Sequence, residues 1–176
     1  LFGSPEYGRV VLNIGGIANI SVLQPHADAA GFDTGPGNML ADAYMQHRFG
    51  QACDRDGALA SSGRVIPELL QTLLAHPYLH RTPPKSTGRD LFSLDWLQGY
   101  LKNSETNSLL PESGYIPADI VRTLNALTAQ SIADAIAAHA PGVREVFACG
   151  GGVFNPVLMD ELSDRLAPLG IRTATT

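Results

Sequence analysis

The sequence has little that would tie it to nucleic acid, membrane or metal. It carries 12 Lys and Arg against 17 Asp and Glu, a net charge of -5, and no basic run. Nucleic-acid binders present a basic stripe, whereas the clustered cations here, Arg81, Lys85 and Arg89, are spread along one loop. No apolar stretch approaches the ~20 residues of a membrane span, and the opening residues lack the pattern of a signal peptide. The two cysteines, Cys53 and Cys149, lie far apart and match neither metal-ligand spacing nor a disulfide framework, which fits a reducing cytoplasm. Cys149 ends an apolar run and reads as a small buried hydrophobe. His26, His47, His76, His80 and His139 are scattered, with no triad-like neighbour and no metal spacing, so they read as surface or packing residues and no metal site is expected. The glycines spell neither the spaced dinucleotide fingerprint nor a complete P-loop.

What remains is a globular composition, 44% hydrophobic and 16% charged. A chain of 176 residues suits one domain and can bury roughly 70% of its unfolded surface. It opens at Leu1 and closes on a strand-like stretch at 171–175, so a piece of a longer protein is expected.

Residues 10–12 and 17–23 read as strands joined by a glycine turn, a hairpin signal. Residues 29–33 read as a third strand, and Asn38 as the cap of a helix bearing Leu40 and Tyr44. Across 64–76, Ile66, Leu69, Leu70, Leu73 and Leu74 recur at helical spacing until Pro77. Residues 82–89 form a proline-containing loop, and 91–101 a short helix in which Trp96 is expected to be buried. Residues 103–114 are polar and read as a surface loop. Pro117 starts the longest helix, to about Ala140. A buried strand follows at 143–149, a helix at 157–166 behind Asn155-Pro156, and a last strand at 171–175. Hairpin-linked strands followed by helix–strand units predict a mixed sheet with helices on its faces.

Four constellations could carry chemistry. Asn13-Ile14-Gly15-Gly16-Ile17-Ala18-Asn19 is either an ordinary tight hairpin or a turn whose open N–H groups cradle a phosphate. In Gly31-Phe32-Asp33-Thr34-Gly35-Pro36-Gly37-Asn38, Asp33 either caps its own turn or stands as a carboxylate at the carboxyl edge of a sheet, where α/β folds bind ligands. Asn38 would then open a helix whose N-terminus favours anions. Gly150-Gly151-Gly152 with Asn155 is either a tight strand-to-helix turn or a bare platform for a purine or ribose. In Pro83-Pro84-Lys85-Ser86-Thr87-Gly88-Arg89, Lys85 and Arg89 either point to solvent or reach a phosphate or carboxylate from a stiff loop.

Together, in this order and spacing, the four motifs resemble the signatures of the anhydro-N-acetylmuramic acid kinase family. The resemblance runs from about Val10 to Thr175. It implies the α/β actin-like, ribonuclease H-like kinase fold, with this chain as the second lobe, residues 1–176, of a two-lobe enzyme. A helical insertion would occupy about 51–116, and the first lobe and a C-terminal helix would lie outside the chain. It implies ATP, Mg²⁺ and the amino sugar 1,6-anhydro-N-acetylmuramic acid, converted with water to N-acetylmuramic acid 6-phosphate during cytoplasmic peptidoglycan recycling. By position in the motif Asp33 is the catalytic base. Asn13, Gly15, Gly16 and Asn19 resemble a phosphate-binding element, and Gly150, Gly151, Gly152 and Asn155 an adenosine motif. Gly35, Gly37, Asn38, Asp42, Lys85 and Arg89 are expected to bind substrate or support the site. This chain has no glycine- and serine-rich first-lobe phosphate loop, so it is expected to be inactive by itself. The competing reading is an actin-like nucleotide-binding module without sugar chemistry. A homodimer is left open.

Overall fold

The computed structural model describes residues 2–103 and 114–176. Five strands form one sheet in the order β3-β2-β1-β4-β5. The strands are β1 (Gly8–Ile14), β2 (Ile17–Leu23), β3 (Ala30–Pro36), β4 (Val143–Cys149) and β5 (Arg172–Thr175). The first three form an antiparallel meander, while β4 and β5 add in parallel to β1. The helices are α1 (Met39–Phe49), α2 (Pro67–Leu74), α3 (Leu94–Asn103), α4 (Pro117–His139) and α5 (Pro156–Leu166).

Strand alternation sorts the sheet into two faces. Val10, Leu12 and Ile14 of β1, Ala18, Ile20 and Val22 of β2, and Val146 and Ala148 of β4 are buried among Ile132 and Ile136 of α4 and Leu158, Leu162 and Leu166 of α5. Among the intervening residues, Asn13, Asn19, Glu145 and Cys149 point to the other face and are half-buried. There Arg9 of β1 bonds Glu145 of β4 at 2.8 Å, and Arg172 of β5 bonds the same carboxylate at 2.9 Å.

A second apolar cluster unites Leu40, Tyr44 and Met45 of α1, Leu69 and Leu73 of α2, Leu97 and Leu101 of α3, and Ile120, Leu124 and Leu127 of α4. The helix α4 is 23 residues long, or about 35 Å at 1.5 Å per residue. Its first half lies in this cluster and its second half on the sheet.

Several expectations change. The third strand runs on to Pro36, because Gly35 and Pro36 still pair with Ala18 and Ile17 of β2. The helix expected at 64–76 starts only at Pro67, which takes the first helical position and leaves Ile66 extended. Cys149 is half-buried rather than buried, since it shares a strand face with Phe147 and Glu145 and not with Val146 and Ala148. Trp96 is likewise half-buried, in edge contact with the rings of His76, Phe92 and Tyr100. The polar loop expected at 103–114 lies, at 104–113, outside the described residues. Asn155 does cap α5, its Oδ1 accepting the Leu158 N–H at 3.2 Å, with Pro156 at the first helical position.

Candidate active site

Strand register lines up four side chains on the less covered sheet face. Asp33 on β3 pairs with Asn19 on β2, Asn19 with Asn13 on β1, and Asn13 with Cys149 on β4. Cross-strand partners share a face, so these groups form one row. The row lies two residues before the turn at Gly15 and Gly16 and immediately before Gly150, which follow β1 and its parallel neighbour β4.

A bulge follows Asp33 directly. Asn19 faces Asp33 while Ala18 faces Gly35, so Thr34 is an extra residue. Its hydroxyl is buried and donates to the Ala18 carbonyl at 3.2 Å. The regular pairing of Ala30 to Asp33 with Val22 to Asn19 puts Asp33 on the row, and the bulge bends the strand immediately after it.

The glycine turns interlock. The N–H groups of Gly37 and Met39 donate to the Gly16 carbonyl at 2.9 and 3.1 Å, and the Asn38 N–H to the Gly15 carbonyl at 2.8 Å. A Cβ on Gly37 would stand 2.2 Å from that Gly15 oxygen, and the Gly37 carbonyl accepts the Thr128 hydroxyl of α4 at 2.8 Å. A Cβ on Gly150, whose φ is +88°, would lie 2.5 Å from Asn13 Oδ1, and one on Gly152 would lie 2.3 Å from Ile14 Cγ2. The three motifs therefore meet at the carboxyl ends of β1 and β4. Among the described residues, the N–H groups of Gly15 and Gly16 donate to no protein acceptor.

One expectation is corrected here. Asn38 does not cap α1 through its side chain; it has helical φ and ψ, and its Nδ2 reaches the Ile14 carbonyl at 3.4 Å. Of the N–H groups entering α1, those of Asn38 and Met39 are spent on the Gly15 and Gly16 carbonyls. Asp42 sits on the first turn of α1, half-buried, and burial pushes its carboxyl above the usual range.

The loop at 83–89 closes over Asp33, with one of its two cations, Lys85, folded back from solvent. Asp33 Oδ2 accepts the Thr87 N–H at 2.9 Å and the Ser86 hydroxyl at 3.1 Å. The Asp33 N–H donates to the Lys85 carbonyl at 3.3 Å, and the Asp33 carbonyl accepts the Tyr78 hydroxyl at 2.9 Å. Asp33 therefore does not cap its own turn. Lys85 folds back, its Nζ donating to the Tyr78 and Leu79 carbonyls at 3.3 and 3.1 Å and lying 4.9 Å from the centre of the Tyr78 ring. Burial, reinforced by Arg81, lowers its pKa. Arg89 is exposed, and Asn155 is occupied as a helix cap. Beside Asp33 is a depression of about 320 Å³, lined by Asn19, Ser21, Gly31, Lys85 and Ser86.

Ser86, Thr87, Tyr78 and Thr128 were not singled out by sequence reasoning. The strand–turn pattern around Asp33 gives no sign of partners more than forty residues away. Tyr78 is buried, and burial pushes its phenol up to about 12, with the Asp33 carboxylate adding and Arg81 opposing. In an unfolded chain it would titrate near 10. The unfolded state then loses its proton first, so stability should fall as pH rises from about 10 to 12, by on the order of 2 kcal/mol. Urea midpoints across that window, with Tyr78→Phe flattening the fall, check this.

Comparison with known proteins follows the same line. The family model described as anhydro-N-acetylmuramic acid kinase matches residues 1–176. The chain belongs to the anhydro-N-acetylmuramic acid kinase family. It is 50% identical over 164 residues to a family kinase of Neisseria meningitidis serogroup C, covering 93% of this chain and 42% of that one. Against the Chromobacterium violaceum kinase it is 50% identical over 165 residues, covering 94% and 43%. Against the Aliivibrio fischeri kinase it is 43% identical over 174 residues, covering 98% and 45%. The chain thus spans less than half the length of these relatives. Among solved structures it resembles the activator of 2-hydroxyisocaproyl-CoA dehydratase from Clostridium difficile with bound ADPNP, at TM-score 0.57, 12% identity and coverage of 98% and 55%. It also resembles xylulose kinase from Rhodospirillum rubrum, at TM-score 0.54, 16% identity and coverage of 99% and 36%. The fold is the actin-like one shared by such ATPases and sugar kinases, as expected.

Proposed function

We propose that this chain is the second lobe of an enzyme that converts 1,6-anhydro-N-acetylmuramic acid, water and ATP to N-acetylmuramic acid 6-phosphate and ADP. The observation that carries this is the position of Asp33, held by four hydrogen bonds on the row that runs into the two glycine turns. Asp33 takes a proton from water as the water oxygen attacks the anomeric carbon. The anomeric carbon–O6 bond of the bridge breaks, and O6 takes the γ-phosphoryl group while ADP leaves. The Gly15 and Gly16 N–H groups face the phosphates, and Gly150 and Gly151, without side chains, leave space for the nucleoside. Phosphoryl transfer depends mainly on positioning and electrostatics, which backbone donors and glycines supply.

The depression beside Asp33 is large enough for one sugar ring, at the small end of ligand sites. Asn38 acts by joining the helix start to the end of β1, and Lys85 by bracing the loop behind Asp33. Mg²⁺ would supply charge neutralisation on the nucleotide. Among the described residues no three His, Cys, Asp or Glu side chains converge to hold a metal. That suits an ion held largely by nucleotide phosphates and water. No described helix is long and apolar enough to cross a membrane, and we place the enzyme in the cytoplasm, where ATP is available.

The test is turnover by the full-length protein. With anhydro sugar, ATP and ¹⁸O-labelled water, mass spectrometry should show a phosphorylated product carrying one ¹⁸O at the anomeric position. Residues 1–176 alone should give none, since the cleft needs both lobes. ATP hydrolysis by the full-length protein with no sugar phosphate formed would favour a nucleotide-binding module instead.

A further inference from the structure

The loop at 83–89 stands in the helical region between α1 and α4, 53 and 54 residues from the carboxylate it touches. Its two contacts fall on the same oxygen: the Ser86 hydroxyl and the Thr87 N–H both donate to Asp33 Oδ2. Among the described residues Oδ1 accepts no hydrogen bond. The loop is itself anchored. Lys85 Nζ sits on two carbonyls of the turn at Pro77–His80, and Tyr78 of that turn donates to the Asp33 carbonyl.

We propose that Ser86 is a positioning residue for the base: with the Thr87 N–H it pins one oxygen of Asp33, fixing the carboxylate torsion so that the other oxygen takes the proton from water. This rests on the reading of Asp33 as base. Rotation about the Cβ–Cγ bond of an aspartate sweeps its oxygens through a wide arc, and two donors on one oxygen restrain that rotation. Hydrogen bonds to a charged acceptor are about twice as strong as neutral ones, so the restraint is substantial. The Thr87 donor belongs to the backbone, and the Ser86 hydroxyl is the part a substitution can remove. Lys85 and Arg89, the charged members of the same loop, act respectively as the brace of the turn and as an exposed residue without a contact to Asp33.

Misplacing a reacting group by a fraction of an ångström costs rate rather than affinity. In the full-length enzyme, Ser86→Ala should lower kcat about tenfold and leave the KM for the anhydro sugar within about twofold. Ser86→Thr, which restores a hydroxyl, should recover most of that loss. Ser86 is exposed, so the melting temperature of both variants should stay near that of the parent. A crystal structure of Ser86→Ala should show the Asp33 carboxylate rotated or in two orientations. An unchanged kcat in Ser86→Ala, a KM rise with kcat intact, or a failure of Ser86→Thr to rescue would overturn the positioning role. Asp33→Asn in the same assay separates the two ideas. An inactive Asp33→Asn beside a fully active Ser86→Ala removes the positioning role only, whereas an active Asp33→Asn removes the base assignment as well.

Discussion

Asp33→Asn in the full-length protein is expected to lower kcat on the anhydro sugar by about a thousandfold, with nucleotide affinity unchanged. The substitution keeps shape and removes the proton acceptor, and general base catalysis contributes 10²- to 10⁴-fold in typical enzymes. The fold should be indifferent to it. The main-chain bonds of Asp33 to Lys85 and Tyr78 are retained, and an amide oxygen can accept from Ser86 and Thr87 as the carboxylate does. The glycine turns proposed to hold nucleotide lie on neighbouring strands, so ATP affinity, read by calorimetry, should survive. Loss of turnover with binding retained supports the kinase over a nucleotide-binding module. Unchanged sugar turnover would remove Asp33 as the base.

The second large effect is expected at Gly37. An alanine methyl there would stand 2.2 Å from the Gly15 carbonyl oxygen and 3.1 Å from the Ala18 nitrogen, both backbone atoms that no rotamer change can move. Relief would require separating the start of α1 from the hairpin, breaking the Gly37, Asn38 and Met39 N–H bonds and straining the Thr128 bond to the Gly37 carbonyl. Overpacking alone costs about 1–3 kcal/mol, and lost hydrogen bonds raise that. Gly37→Ala should therefore destabilise by about 3 kcal/mol or more, lowering the melting temperature by roughly 6–12 °C on a domain of this size. Turnover should fall with it, because the same contact aligns the Gly15–Gly16 turn with Asn38. Gly88→Ala is the control, since a Cβ there meets nothing within 4 Å.

The extended parts of the fold were legible in the sequence because alternation marks a half-covered strand. β2 and β4 begin and end where the pattern of Ile20 and Val22, or of Val146 and Ala148, predicts. The same alternation already placed Cys149 on the opposite face from Ala148, a signal that the apolar run concealed. The end of β3 was less legible, because Gly35 and Pro36 usually interrupt strands, yet pairing to β2 at a sheet edge tolerates them. Asn38 has the side chain of a helix cap, but tertiary structure supplied the carbonyls of Gly15 and Gly16 first. In the candidate site, the motifs followed by short turns could be seen locally. The partners of Asp33 could not, because Ser86 and Thr87 reach it only after the chain has passed through α1 and α2. Lys85 drew attention by its charge, whereas its neighbours Ser86 and Thr87 make the contacts to the carboxylate.

One helix is shared by both apolar clusters, with Leu124 and Leu127 in one and Ile132 and Ile136 in the other. Neither cluster can open without exposing part of the other's lining. Amide hydrogens in the middle of α4, from Leu124 to Ile136, should therefore exchange only through global unfolding, as one foldon with the β1 and β4 amides. Those of α2, attached at the periphery, should exchange through smaller openings. The proposed base sits between these regimes: Asp33 is carried by the sheet and restrained by a loop from the less protected side. The sheet would thus fix where the carboxylate is, and a faster-opening loop which way it turns.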